Sequence, residues 1–273
     1  MLVQMVIGQQ FLMLQIDKKI TSDDLSILIF QDRIAFCTLE QTLYFNLEKK
    51  IINSDSLGTW IKYHNIKKNN TKCISFESNG VVVPEKLYDE ANKNLYLSLT
   101  DDDLKNKKIE TKIIKSNNQV FIFPQSRDWD LLFQNLGVDI KTTHFAAELI
   151  SFLSKLANTS LKKSIFIHLR KNFFDLFIYQ GSQLLLFNSF PHQDDEEFLY
   201  YLFFVLEQFY LKANQFEAIF LGKYLKYQSY YDGFKQFHLT TNFTYPENLE
   251  IDSNHPAPFF NYFYSYENNI RKV

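Results

Sequence analysis

Ser164-Ile-Phe-Ile-His-Leu-Arg170, Phe173-Phe-Asp-Leu-Phe-Ile-Tyr179 and Gln183-Leu-Leu-Leu-Phe-Asn-Ser-Phe190 are three apolar runs separated by Lys171-Asn172 and Gln180-Gly181-Ser182. Runs of this length, rich in Phe, Ile and Leu and bounded by short polar turns, read as three consecutive β-strands joined by hairpins. Asp194-Asp-Glu-Glu197 then precedes Phe198–Leu211, where Glu207 is the sole charged residue. Carboxylates at a helix start complement its free N–H groups, so the acidic cluster reads as a helix entry rather than a metal or acid/base site. A helix with so little charge is expected to be buried on more than one side. Ala218–Leu221 is a further short strand, ended at Gly222.

Working outward from this unit, a similar order of elements precedes it. Leu25, Ile27 and Ile29 alternate with Ser26 and Leu28, Gln31-Asp32-Arg33 forms a turn, and Ile34, Phe36 and Thr38 begin a second strand. Leu43–Phe45 supplies a third. A helix is expected from Asp55 to about Asn65, then strands at Lys72–Phe76, Asn94–Leu99, Ile109–Lys115 and Val120–Pro124. Pro84–Ala91, with proline at its first position, reads as a helix. Two more helices are expected at Asp128–Leu136 and Phe145–Asn158; the second carries Phe145, Leu149, Phe152, Leu153 and Leu156 on one face. Residues 159–163 make a polar break. Strand-strand-strand-helix-strand-helix therefore occurs twice, without repetition at the level of residues. That order implies an α/β protein of two similar lobes, over 21–160 and 161–273; residues 1–20 read as a peripheral strand or helix, or as a leader.

The bulk composition sets limits on function. The chain has 29 Lys and Arg against 31 Asp and Glu, and neither half has a basic surplus. Nucleic-acid binding draws most of its affinity from phosphate neutralisation, so this balance argues against it. The densest basic run, Lys105 to Lys115, directly follows Asp101-Asp-Asp103 and reads as a solvated loop and strand edge. Cys37 and Cys73 each sit within apolar sequence, as buried thiols rather than a disulfide framework. Residues 1–14 lack the basic start of a signal peptide, and no apolar run reaches the roughly 18–20 residues of a membrane span. The expectation is a cytoplasmic protein. The many Phe and Tyr, 28 and 16, supply large core side chains.

Catalytic loop chemistry is missing. The seven glycines include no Gly-Gly or Gly-x-Gly, so a P-loop, a dinucleotide fingerprint, a kinase glycine-rich loop and a nucleophile elbow are all excluded. His64, His144, His168, His192, His238 and His255 have no metal-ligand spacing. His168, inside an apolar strand, reads as a core histidine with a satisfied hydrogen bond. Pro256-Ala-Pro-Phe-Phe-Asn-Tyr-Phe-Tyr-Ser-Tyr266 concentrates aromatics near the C-terminus. Docking onto the body is the first reading of that stretch. An interface formed by Phe259, Phe260, Tyr262 and Phe263 is the second.

Phe173–Gly181, Leu185–Phe190 and Asp195–Leu202, together with the opening Asp24–Phe30, resemble a bacterial family called domain of unknown function 3822. The resemblance covers about residues 20–265. It implies an actin-like ATPase fold, two ribonuclease-H-like lobes with mixed sheets facing a cleft, and the family carries no assigned activity. In nucleotide-binding proteins of that superfamily, the first hairpin of each lobe brings an Asp and glycines to phosphate and Mg²⁺. The turn Phe30-Gln-Asp-Arg33 has no glycine. Aligning Phe174-Asp175-Leu176 with the superfamily's Thr-Asp-Leu puts His168 at the metal-associated Asp, and Arg170, Lys171 and Asn172 at the glycines. The adenosine-binding double glycine is reduced to Gly222-Lys223. Each departure removes something that ATP hydrolysis uses. The expectation is a non-catalytic pseudo-ATPase without cofactor or metal, acting through contacts with an unknown protein partner. The alternative is a degenerate nucleotide or anion binder using Arg170, Lys171 and Gly222.

Overall fold

The computed structural model describes residues 25–38, 42–47, 54–64, 72–77, 79–98, 104, 107–115, 118–125, 128–138, 140–157, 162–213, 215–238, 241–244 and 255–261. The expected leader, residues 1–20, lies outside them. Strands β1 (Ser26–Ile29), β2 (Arg33–Cys37), β3 (Thr42–Asn46), β4 (Lys72–Ser75) and β8 (Thr142–His144) form one sheet in the order β3-β2-β1-β4-β8. Strands β9 (Lys163–Leu169), β10 (Phe173–Gln180), β11 (Gln183–Pro191), β12 (Phe216–Phe220) and β13 (Thr241–Phe243) form a second, in the order β11-β10-β9-β12-β13. In each sheet the first three strands are antiparallel, and the last two join parallel to the first strand's free side. The doubled element order is therefore a doubled topology of mixed sheets.

Period-two alternation sorts side chains to two faces of the first sheet. Ile27, Ile29, Ile34, Phe36 and Cys73 pack with Leu57 and Ile61 of α1 (Ser54–Tyr63) and with Trp129 and Phe133 of α3 (Trp129–Asn135). Leu28, Phe30, Ala35, Cys37 and Ile74 face the other way. They share one continuous core with α4 (Phe145–Ala157) and with the second sheet. That core also includes α5 (Asp195–Gln208) and α6 (Gln228–Lys235).

Between β4 and β8 the chain builds a third, antiparallel sheet from β5 (Val81–Pro84), β6 (Lys108–Ile114) and β7 (Gln119–Gln125), in the order β5-β7-β6. Here two expectations are corrected. Pro84 ends an edge strand instead of opening a helix, a position where its missing N–H costs the ladder nothing. Two short 3₁₀ turns, Glu85–Leu87 and Glu90–Asn92, follow it. Lys93–Leu97 is a helix, α2, rather than a strand. Tyr96 fixes its approach, donating to the Leu87 carbonyl at 2.8 Å and accepting from the Asp89 N–H at 3.0 Å. The expectation for α5 is corrected too: Tyr200 and Phe204 on its outer side are 66% and 51% exposed. The helix closed in nearly all round is α4. No helix among the described residues is long and apolar enough to cross a membrane.

Candidate functional site

The two lobes turn their first hairpins in the same way. The Phe30 N–H donates to the Arg33 carbonyl at 2.9 Å around Gln31-Asp32, and the Arg170 N–H donates to the Phe173 carbonyl at 2.8 Å around Lys171-Asn172. The chain past each third strand closes against the turn likewise, Leu47 N–H on the Asp32 carbonyl and His192 N–H on the Asn172 carbonyl. These turns fix the register, so Leu28 lies opposite Ala35 in one hairpin and His168 opposite Asp175 in the other.

The second hairpin holds a buried charge network. Arg170 reaches Asp175 with Nε to Oδ2 and Nη2 to Oδ1, both at 2.7 Å, a bidentate fork. His168 Nδ1 lies 2.8 Å from Oδ2, and the Ser189 hydroxyl donates to Oδ1 at 2.5 Å. An ionised carboxylate only accepts, so Nδ1 carries the histidine proton. Nε2 finds no hydrogen-bond partner among the described residues, so only one of the two ring nitrogens of His168 is satisfied. Burial alone would raise the Asp175 pKa. The Arg170 charge and the hydrogen bonds from His168 and Arg170 outweigh it and hold the carboxyl below its ordinary value. Burial lowers the His168 pKa despite the pull of Asp175, so this histidine is neutral. The Arg170 guanidinium carbon stands 4.6 Å from the Phe145 ring centre and 5.2 Å from that of Phe173. Its backbone carbonyl lies 3.1 Å from His192 Nε2, and His192 Nδ1 meets the Tyr230 hydroxyl at 3.1 Å.

His255–Phe260 runs through the space between the hairpins, and all six residues are buried. The Lys171 N–H donates to the Pro256 carbonyl at 2.9 Å, and Lys226 Nζ donates to the His255 carbonyl at 2.7 Å. His255 Nε2 lies 3.8 Å from Cys37 Sγ in the first lobe. Phe260 packs edge-on against Phe76 with ring centres 4.9 Å apart, and its ring centre is 5.3 Å from that of His168. Phe259 contacts His168 and Phe152. The segment thus touches both sheets, α4 and the second hairpin turn.

The residues named from the sequence that lie among the described ones have the following places. Arg170 is 8% exposed and engaged with Asp175. Lys171 is exposed, and its charge acts on Asp32 of the opposite turn; Arg33 is the larger cause of the lowered Asp32 pKa. Gly222 is buried at φ +77°, and a Cβ there would come within 2.3 Å of the Tyr224 hydroxyl oxygen, so the tyrosine covers the glycine. Phe259 and Phe260 are both fully buried and offer no ring to a partner from this position, while Tyr262 and Phe263 lie outside the described residues. The sequence reading missed Asp175 as the centre of the network. A two-residue turn at 171–172 pairs 170 with 173 and 168 with 175, which is the signal that could have found it. No group of three or more His, Cys, Asp and Glu side chains among the described residues is placed to hold a metal ion.

A family model described as "Protein of unknown function (DUF3822)" matches residues 14–240. The chain belongs to this family. Among solved structures, the DUF3822 chain is similar to a Bacteroides thetaiotaomicron protein with an actin-like ATPase fold and unknown function. The TM-score is 0.68 at 19% identity, covering 83% of this chain and 92% of that one. It is also similar to the PilM–PilN type IV pilus biogenesis complex, with a TM-score of 0.50 at 10% identity, covering 81% and 88%. No curated protein matches the sequence. The fold of this DUF3822 protein is the actin-like ATPase fold, which by itself assigns no activity.

Proposed function

We propose that this chain is a non-catalytic protein of the actin-like fold that acts through contacts with other proteins. The observation carrying the proposal is the burial of His255–Phe260 between the two sheets and against the second hairpin turn. Phosphate binding in this fold needs backbone N–H groups free at those turns, and the Lys171 N–H is already bonded to Pro256. Arg170 is held by a carboxylate and aromatic rings, and the Tyr224 ring lies over Gly222, which also counts against the anion-binding alternative. The actin-like fold occurs in the PilM–PilN complex, a precedent at the level of fold for work done by association.

Thermal melts with ATP, ADP and GTP plus Mg²⁺ test the proposal. A ligand at 100 times its dissociation constant adds about 2.7 kcal/mol, or roughly 5–10 °C in a chain of this size. The expected result is no shift with any nucleotide. A rise of several degrees would defeat the proposal in favour of a nucleotide-binding cleft.

A further inference from the structure

Away from the interlobe space, the C-terminal ends of α5 and α6 line an open cleft of about 450 Å³. This lies within the size range of small-molecule sites. Its walls include the rings of Phe203, Phe216, Phe237 and Tyr210. Phe203 and Phe237 are in contact, with ring centres 4.6 Å apart. Tyr210 stands at the edge, 89% exposed on a backbone at φ +52°, a conformation a tyrosine rarely adopts. Glu207 and Lys212 also line the cleft and cancel in formal charge.

The lining residue that packing does not account for is His238. It is 4% exposed, and neither ring nitrogen has a hydrogen-bond partner among the described residues. Its ring lies 4.5 Å from that of Phe216 and stacks on Phe234 at 5.5 Å. A phenylalanine would fill that position without leaving two polar atoms unsatisfied, so a core role alone does not explain the imidazole.

We propose that this cleft binds a small, neutral aromatic molecule bearing one hydrogen-bonding group, such as a phenol or an indole, with His238 as the polar contact. Ring walls select a flat apolar body. Glu207 and Lys212 cancel in formal charge and give no preference for net charge. The two imidazole nitrogens can hydrogen-bond a single O–H or N–H group. Both His238 nitrogens are closed to water in the free protein, against the rings of Phe216 and Phe234, so binding requires the cleft wall to open around the imidazole. The site shares no residue with the interlobe segment and stands independently of the proposed function.

The test is calorimetric or NMR titration of the full chain with p-cresol and indole, beside toluene, benzoate and benzylamine. Saturable binding of p-cresol is expected, with toluene weaker by roughly tenfold, the worth of one hydrogen bond. Benzoate and benzylamine should bind no better than toluene. His238→Phe should melt at or above the parent temperature and bind p-cresol and toluene equally, while Phe237→Ala should weaken both. If His238→Phe does not fold, His238→Gln keeps a polar contact and should retain the preference for p-cresol, and His238→Leu should abolish it. Absence of p-cresol binding would overturn the proposal. So would an undiminished preference in His238→Phe or His238→Leu.

Discussion

Two hairpins with the same turn, the same register and the same closing hydrogen bonds carry opposite chemistry. In the first lobe the positions facing the lobe junction are Leu28, Phe30 and Ala35; in the second they are His168, Arg170 and Asp175. The ion pair of the first hairpin, Asp32 with Arg33, sits on the surface with side chains 61% and 21% exposed, whereas Arg170 and Asp175 are 9% and 0% exposed. Backbone topology is thus indifferent to which residues occupy it. Register decides who meets whom, and burial decides what the meeting is worth. The polar hairpin is tolerated because every Asp175 oxygen is satisfied and because His255–Phe260 closes the space above it.

Exchanging the two chemistries breaks the comparison most severely. Ala35→Asp places a carboxylate at the Asp175-equivalent position with no fork to receive it, and a loss of about 3–5 kcal/mol or failure to fold is expected in urea unfolding. Asp175→Ala leaves Arg170 buried and uncompensated, with a similar expected loss of about 3–5 kcal/mol. Phe260→Ala should cost about 3–4 kcal/mol if the ring is part of the core. His255→Ala should expose Cys37, whose pKa burial pushes up to about 12, to a maleimide reagent that leaves the parent chain unlabelled.

Acid sharpens the same contrast. His168 and His192 have folded-state pKa values below the ordinary histidine value, each chiefly through burial. The unfolded chain therefore binds protons first, and stability present above about pH 6.5 falls as the pH drops through that value. Asp175 is depressed as well, so its contribution is present above about pH 3.9 and is lost on further acidification. Stability should fall between about pH 6.5 and 5, at up to about 1.4 kcal/mol per pH unit for each group, with the melting temperature following, and His168→Gln should flatten part of that slope. The smallest effect belongs to the surface pair: Arg33→Ala should change stability by less than about 1 kcal/mol.

The second lobe was legible because its strands are long and its turns short. Lys171-Asn172 and Gln180-Gly-Ser182 leave the three runs little freedom, and all three strands lie where the pattern puts them. The insert between β4 and β8 was not legible. Asn94–Leu99 alternates like a strand, yet only Leu97 of α2 is buried, and contacts of Tyr96 with the backbone of Leu87 and Asp89 in the preceding turns decide its conformation. Short elements of that kind take their structure from tertiary contacts, and their own pattern is a weak guide. The site was half legible. His168 and Arg170 were visible as oddities in an apolar strand. The docking place of His255–Phe260 depends on residues far away in sequence, and no local pattern encodes it.

Amide hydrogen exchange at Lys171, measured with and without millimolar MgATP, tests the central claim most directly. A Lys171 N–H bonded to the Pro256 carbonyl should exchange slowly, and nucleotide should leave its rate unchanged. Exchange as fast as an open turn in the free protein, with protection gained only when MgATP is added, would contradict the account.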